Sequence, residues 1–225
     1  MNYFAHGRAF TNHPYFLAGT AIPDWLNVVD RRVRARSKLA RPFLNSKDQR
    51  IAAIAAGILK HHQDDDWFHR TRAFAELSWS FTVEIRDRLP PDDGLRPSFL
   101  GHILVELLLD DALIQADPAG LEAYYDAIDS LDPTMVAWTV ERMTGKPVPK
   151  LALLMPRFSE VRFLYDYAQD AKLLFRLNNV MQRVKLAALP VELTEWFPIA
   201  RRSVNQRVSE LLNVDTHSPS LALKE

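Results

Sequence analysis

Apolar residues recur at intervals of three and four along most of this 225-residue chain. That spacing places side chains on one face of an α-helix. Glycine is scarce, with 7 residues, and the 14 prolines stand mainly between the periodic segments, while the alternation typical of strands is hard to find. Because a helix with one apolar face must bury that face against another element, the pattern predicts an all-α, multi-helix bundle.

The predicted helices are separated by proline, glycine or polar residues. We predict helices over residues 2–10, 13–21, 47–69, 71–89, 97–115, 118–130, 133–144, 157–186 and 191–212, with a polar loop at 91–97. Pro23 is expected to end the second helix and Asp24 to cap the next turn. The helix at 97–115 is apolar on nearly every side, so we expect it to be central and buried all round.

Histidines are concentrated in the first half of the chain, and most of them have carboxylates at helical spacing. His61, Asp65 and His69 are separated by four residues each, so on one helix they point the same way. Neutral imidazole and carboxylate together form the ligand set of Zn, Mn or Fe. The alternative is a solvated, polar helix end, which is what a run of charges usually forms.

A neighbouring stripe on the same helix passes through His62 and Asp66. Spacing alone does not choose between the two stripes. Ile54 and Ile58 continue the line of His61, which places that line nearer the core. We therefore favour the His61 stripe.

A second cluster lies within the most apolar helix. His102, Glu106 and Asp110 are again four residues apart, in a segment rich in leucine and isoleucine. Buried carboxylates are costly unless they are paired or bind a metal, which favours a functional site. The alternatives are a core histidine hydrogen-bonded to a carboxylate, or a Glu106 paired with Arg70 or with an arginine of residues 31–41.

Other chemistries have no support in the sequence. The chain contains no cysteine, which excludes disulfides, thiolate metal ligands and cysteine nucleophiles. A glycine-rich phosphate loop, a Gly-x-Ser-x-Gly elbow and a His-Glu-x-x-His motif are all missing. The candidate chemistry therefore rests on histidines and carboxylates.

Four short stretches, in this order, resemble the acyl carrier protein phosphodiesterase family, which is distantly related to the HD-domain metal phosphohydrolases. They are Met-Asn-Tyr-Phe-Ala-His at 1–6, a small-residue turn ending in Asp-Trp at 17–25, Gly-Ile-x-x-His-x-x-x-Asp within 56–65, and Gly-His-Ile-Leu at 101–104. The third stretch supports His61 over His62. The resemblance covers residues 1–115 and implies an HD-domain-like orthogonal bundle.

The resemblance also implies an activity, the hydrolysis of a phosphodiester that removes the phosphopantetheine arm from acyl carrier protein. The implied ligands of one or two divalent ions (Mn, Fe or Zn) are His6, Asp24, His61, Asp65 and His102. The implied catalytic residues, acting as further ligands, as a general base or as groups that orient the ligands, are Glu106, His69 and Asp110. The arginines of residues 31–41 could receive phosphate or an acidic carrier protein, the alternative being a solvated basic helix face.

The chain departs from the family pattern at several positions. Gln63 and Asp64 stand where the family has arginines, Gly101 where it has aspartate, and His69 where aspartate is expected. These departures keep two other hypotheses open. One is a metal-dependent hydrolase of a small-molecule or lipid phosphate, and the other is a non-catalytic helical interaction protein with a structural His/Asp network or metal site.

One helical domain over residues 1–225 is the simplest organisation for a chain of this length. Residues 1–115 form its metal-site half, residues 116–215 a helical C-terminal half, and residues 216–225 a tail that should fray. The formal net charge is zero, so no overall field favours nucleic acid as a partner. No signal peptide or membrane span is predicted, and a cytoplasmic location is expected.

Overall fold

The computed structural model describes residues 1–89 and 97–212, and every regular element within them is helical, which confirms the all-α prediction. The α-helices are α1 (Tyr3–Gly7), α2 (Pro14–Val29), α3 (Ser37–Ala40), α4 (Gln49–Phe68), α5 (Arg72–Arg88), α6 (Pro97–Ala116), α7 (Pro118–Asp129), α8 (Pro133–Thr144), α9 (Pro149–Val161), α10 (Asp170–Arg183), α11 (Phe197–Asn205) and α12 (Val208–Leu211). Short 3₁₀ segments lie at Arg8–Phe10, Arg41–Phe43, Phe163–Ala168 and Val191–Glu195. The predicted loop at 91–97, apart from Pro97, and the predicted tail lie outside the described residues. In the described part of the chain, none of the helices has both the length and the apolarity needed to cross a bilayer.

Helix α6 lies at the centre, where it packs against α1, α5, α7 and α11. Leu100, Leu104 and Leu108 are buried, and so are residues on its other sides, as expected for this segment. The same helix carries Asp110 and Asp111 into the interior, where both are almost completely inaccessible. Since a buried carboxylate is costly without partners, each of these aspartates must be neutralised or hydrogen-bonded by a neighbouring element.

Helix α2 continues through Pro23, so the prediction that Pro23 ends it, with Asp24 as a cap, is wrong. A proline inside a helix removes one hydrogen bond and costs about 3 kcal/mol. Ile22, Trp25 and Leu26 are fully buried around it, and burying a large apolar side chain contributes about 1.5–3 kcal/mol. Packing therefore outweighs the proline, and Asp24 lies in the interior of a helix.

The single helix predicted over residues 157–186 is also wrong, because a 3₁₀ segment separates α9 from α10. Arg162 ends α9 in the left-handed conformation, with φ at 48°. The backbone N–H of Leu164 donates a hydrogen bond of 3.1 Å to the hydroxyl of Tyr125. This contact with α7 fixes the chain where the helix would otherwise continue.

The helix predicted over residues 191–212 is divided as well, into a 3₁₀ segment, α11 and α12. Pro198 lies in the first turn of α11. A proline is tolerated there because the first N–H groups of a helix have no partner within it. The chain therefore starts a new helix at this point.

Two glycines allow α2 and α4 to pack backbone to backbone. A Cβ added at Gly57 would lie 2.1 Å from the carbonyl oxygen of Phe16, and one added at Gly19 would lie 2.4 Å from that of Ile54. Both distances are far below any van der Waals contact, and the obstructing atoms are backbone atoms. This close approach fixes the position of α4, which carries His61.

We expect Gly57→Ala to lower the free energy of unfolding by about 1–3 kcal/mol, because overpacking at this contact exceeds the gain in helix propensity. Urea unfolding followed by circular dichroism measures the loss. Gln63→Ala, an exposed position on the same helix, is the control and should change stability by less than about 0.5 kcal/mol. A Gly57→Ala protein as stable as the parent would contradict the close packing.

Candidate metal centre

Helices α1 and α4 bring together the first candidate ligand group, His6, His61 and Asp65 (the His6 triad). The Nε2 atom of His6 lies 3.2 Å from Oδ1 of Asp65, and the Nε2 atom of His61 lies 3.2 Å from Oδ2. The two imidazoles are stacked, with ring centroids 4.3 Å apart. One potential ligand atom from each residue falls within 4.8 Å of the others, so the group has the geometry to hold a metal ion.

The Nε2 atom of His6 is buried and has no hydrogen-bond partner. It is close to Asp65, but the contact lies outside hydrogen-bond geometry. The other ring nitrogen, Nδ1, lies 3.3 Å from Oδ2 of Asp64. Because buried polar atoms in folded proteins are nearly always satisfied, this nitrogen is the clearest candidate ligand atom of the triad.

A backbone contact orients His61. Its Nδ1 atom lies 2.8 Å from the carbonyl oxygen of Thr20 in α2, which can only accept, so Nδ1 carries the proton. In the neutral imidazole, Nε2 then carries a free lone pair, and it lies beside the carboxylate of Asp65. Two lone pairs at that distance require a proton or a metal ion between them, and a backbone carbonyl is a typical partner for the second nitrogen of a metal-binding histidine.

A second group, His69, His102 and Glu106 (the His102 triad), lies where the end of α4 meets α6. The Nε2 atom of His69 is 2.8 Å from Oε1 of Glu106, and that of His102 is 3.2 Å from the same oxygen. The two rings have centroids 4.7 Å apart. The structure therefore places His102 with His69 and Glu106 in a separate group from His6 and His61.

The two triads are adjacent. The ammonium group of Met1 donates to Oδ1 of Asp65 at 2.8 Å and to Oε1 of Glu106 at 3.2 Å. Burial lowers the pKa of this ammonium, but Glu106 and Asp65 outweigh it and raise the pKa to about 10. Burial raises the pKa of Glu106, yet the ammonium and the two histidines hold it well below its usual range. The carboxylates of Asp65 and Glu106 thus stabilise a positive charge placed between the two triads.

Asp24 and Asp110 lie beside the triads and belong to neither. Burial raises the pKa of Asp24, and the negative charges of Asp65 and Glu106 add to the effect. Asp110 accepts hydrogen bonds from the N–H groups of Phe4 (3.0 Å) and Ala5 (2.7 Å). It therefore holds the first turn of α1, and with it His6, while burial raises its pKa to about 7.

Asp64 contributes to the site although the sequence analysis did not select it. It pairs with His6 and with Lys60. The residue was recognisable from spacing, because Ile54, His61, Asp64 and Phe68 follow one another at intervals of seven, three and four on the buried face of α4. His62, in contrast, bonds to the carbonyl of Ala35 at 2.7 Å and packs edge-on against His61, and it belongs to neither triad.

The charge state of His6 should make the stability of the metal-free protein depend on pH. Burial lowers the pKa of His6, but Asp64 and Asp65 outweigh it and raise the pKa to about 9. The folded state thus holds this proton more tightly than the unfolded chain, whose histidine pKa is about 6.5. The stabilisation is complete below about pH 6.5 and is lost as the pH rises to about 9, amounting to up to about 3 kcal/mol.

Urea unfolding in the presence of a chelator, repeated across this pH range, measures the effect. His6→Gln should remove most of the decline between about pH 6.5 and 8, whereas His13→Gln, an exposed position, should retain it. Above about pH 8 the Met1 ammonium, whose pKa is also raised, adds a decline of its own in both variants. An unchanged pH dependence in His6→Gln would show that His6 does not hold the proton.

Comparisons with protein-family models, with characterised proteins and with solved structures find no match for this chain. The candidate centre is therefore interpreted from its own residues. Two adjacent groups, each of two imidazoles and one carboxylate, are a donor set that suits Zn, Mn or Fe.

Proposed function

We propose that this chain is a metal-dependent phosphoric ester hydrolase. The observation that carries the proposal is the pair of adjacent His/His/carboxylate triads, one of them with a buried, unpartnered ring nitrogen on His6. Three protein ligands with room for a further one are typical of catalytic metal sites. Two neighbouring groups of this kind fit either one or two ions, as in many phosphoester hydrolases.

The residues present fit a divalent ion. His6, His61 and Asp65 would hold the first ion, and the His102 triad would hold a second. The chemistry that such ions supply is a lower pKa of water and compensation of negative charge on a phosphoryl group. The chain itself orients these ligands, through the carbonyl of Thr20 on His61 and through Asp110 on α1.

A phosphate-containing substrate is supported by positive charge next to the centre. Arg31 and Arg34 lie in the segment between α2 and α3, and both line a cavity that also reaches Asp24 and Glu106. This segment is irregular up to Arg36, so its arginines do not form a helix face. Guanidinium groups are well suited to phosphate. Within this class, the resemblance favours a phosphodiester, with the phosphopantetheine arm of acyl carrier protein as the specific candidate.

The proposal predicts bound metal and turnover that depends on it. Metal analysis of protein purified without chelator should find about one or two equivalents of Mn, Fe or Zn per chain. Hydrolysis of bis(p-nitrophenyl) phosphate should stop when a chelator is added and recover when the ion is restored. Protein that takes up none of these metals on reconstitution would contradict the proposal, and metal without turnover would support a structural site in an interaction protein.

A further inference from the structure

A cavity of about 490 Å³ adjoins the candidate metal centre. Glu106 of the His102 triad lines the cavity, and so does Asp24, which lies beside the triads, so a ligand in the cavity can reach the candidate centre. The volume falls within the range of pockets that enclose small organic molecules. The cavity is therefore the natural place for the part of a substrate that does not react.

The walls of the cavity are largely apolar. They are formed by side chains of α2, α6, α9, α10 and the 3₁₀ segment after α9, among them Trp25, Phe99, Ile103, Leu154, Phe163 and Val180. Such a surface gains free energy by covering hydrocarbon, and it offers few partners for the hydroxyl groups of a sugar. The lining therefore favours a ligand with an apolar group that covers these walls.

The charged residues of the lining are mostly cationic. Five arginines contribute to it, namely Arg31, Arg34, Arg157, Arg176 and Arg183. Arg157 and Arg176 are paired with Glu160 and Asp166. In the described parts of the chain, no carboxylate lies within ion-pair distance of the other three, and the guanidinium of Arg31 donates to the carbonyl of Arg183 at 2.9 Å. This excess of positive charge favours an anion.

We propose that the cavity binds a phosphodiester with a single alkyl chain, with the alkyl chain against the apolar walls and the phosphate between the metal centre and the arginines. As the substrate class of that centre, this inference rests on the proposed function. In the reaction, the oxygen of water forms a new bond to phosphorus and the bond from phosphorus to the leaving alcohol breaks. The alcohol takes the proton that water gives up, so the products are an alcohol and an alkyl phosphate monoester.

Binding of non-hydrolysable probes tests the inference without requiring turnover. Calorimetry on the full chain with its metal would compare octyl phosphonate, ethyl phosphonate and octyltrimethylammonium. Octyl phosphonate should bind at least about 100-fold more tightly than ethyl phosphonate, because its longer chain buries more apolar surface. It should also bind at least about tenfold more tightly than octyltrimethylammonium, which has the same chain and the opposite charge. Equal affinities in either comparison would overturn the inference.

Variants locate the site on the protein. Leu154 lines the cavity and is half-buried, whereas the neighbouring Leu153 on α9 is exposed and is not part of the lining. Leu154→Asp should reduce the preference for octyl over ethyl phosphonate at least about tenfold, and Leu153→Asp should leave it intact. Arg183→Gln should weaken binding of the phosphonate and not of the ammonium compound. If Leu154→Asp retained the preference for octyl over ethyl phosphonate, the alkyl chain would bind elsewhere and the assignment would be refuted.

The two proposals fail in different ways. If octyl phosphonate binds selectively and no phosphodiester is hydrolysed, the proposed function is wrong and the cavity is not a substrate site. If bis(p-nitrophenyl) phosphate is hydrolysed and the probes bind without chain selectivity, the metal centre stands and the inference about the cavity is wrong.

Discussion

His61→Ala is expected to lose its bound metal and to lower kcat/KM for bis(p-nitrophenyl) phosphate at least about 100-fold, since loss of even an outer contact to a metal ligand costs about 10–100-fold. His61 is buried, and its Nδ1 contact with Thr20 turns Nε2 toward Asp65. The methyl group of alanine supplies no ligand atom. Metal analysis and steady-state kinetics on the same preparation measure the two losses together.

His62→Ala is the matched control. His62 is the next residue on α4, and its Nε2 atom bonds to the carbonyl of Ala35. It should retain its metal and remain within about twofold of the parent activity, since it packs against the edge of His61 but supplies no ligand atom to either triad. Circular dichroism would confirm that both variants fold. Parent-like activity in His61→Ala, or equal losses in the two variants, would refute the assignment of the centre.

Arg201→Met is expected to lower the free energy of unfolding by about 3–5 kcal/mol, because it leaves a buried charge without its partner. The guanidinium of Arg201 donates to Asp111 on α6, to the carbonyl of Tyr167 at 2.9 Å and to Asp170 at 2.7 Å. Asp111 is almost completely inaccessible, and its remaining hydrogen bond comes from Gln115 at 3.0 Å. Methionine fills much of the same space but donates nothing to the carboxylate.

Two further variants separate the charge from the packing. Arg202→Met, at the next and exposed position of α11, should change stability by less than about 0.5 kcal/mol. The double variant Asp111→Leu, Arg201→Met should recover most of the loss, since an apolar pair often replaces a buried ion pair without cost. A double variant no more stable than Arg201→Met would show that the loss comes from packing and not from the unpaired carboxylate.

The helical fold could be predicted because the spacing of apolar residues, and the prolines, glycines and capping residues between helices, are local properties of the sequence. The segments at 49–68, 72–88 and 118–144 needed nothing beyond apolar spacing and caps. The errors arose where distant residues decide the local conformation. Pro23 stays within α2 because of burial around it, and Arg162 ends α9 where Tyr125 of another helix holds the chain.

The residues of α4 and α6 that form the two triads could be selected from the sequence, whereas their grouping and the part played by Asp64 could not. Spacing along α4 and α6 selects His61, Asp65, His102 and Glu106, because residues four apart share a helix face. It does not tell which faces meet. The pairing of His69 with His102, and of His6 with Asp64, depends on how three helices pack, and no pattern within one helix encodes that.

The anchoring of α1 has a consequence for the order of events during synthesis. This helix has five residues, too few to persist alone in water, and the carboxylate that holds it belongs to a residue 105 positions further along the chain than Ala5. During synthesis on the ribosome, His6 of α1 therefore leaves the exit tunnel before Asp110, and α1 is not held in place until Asp110 has also left the tunnel. In the proposed centre, a metal ion that arrives before then would meet only the ligands of α4, so loading of the complete centre would follow synthesis of the residues up to Asp110.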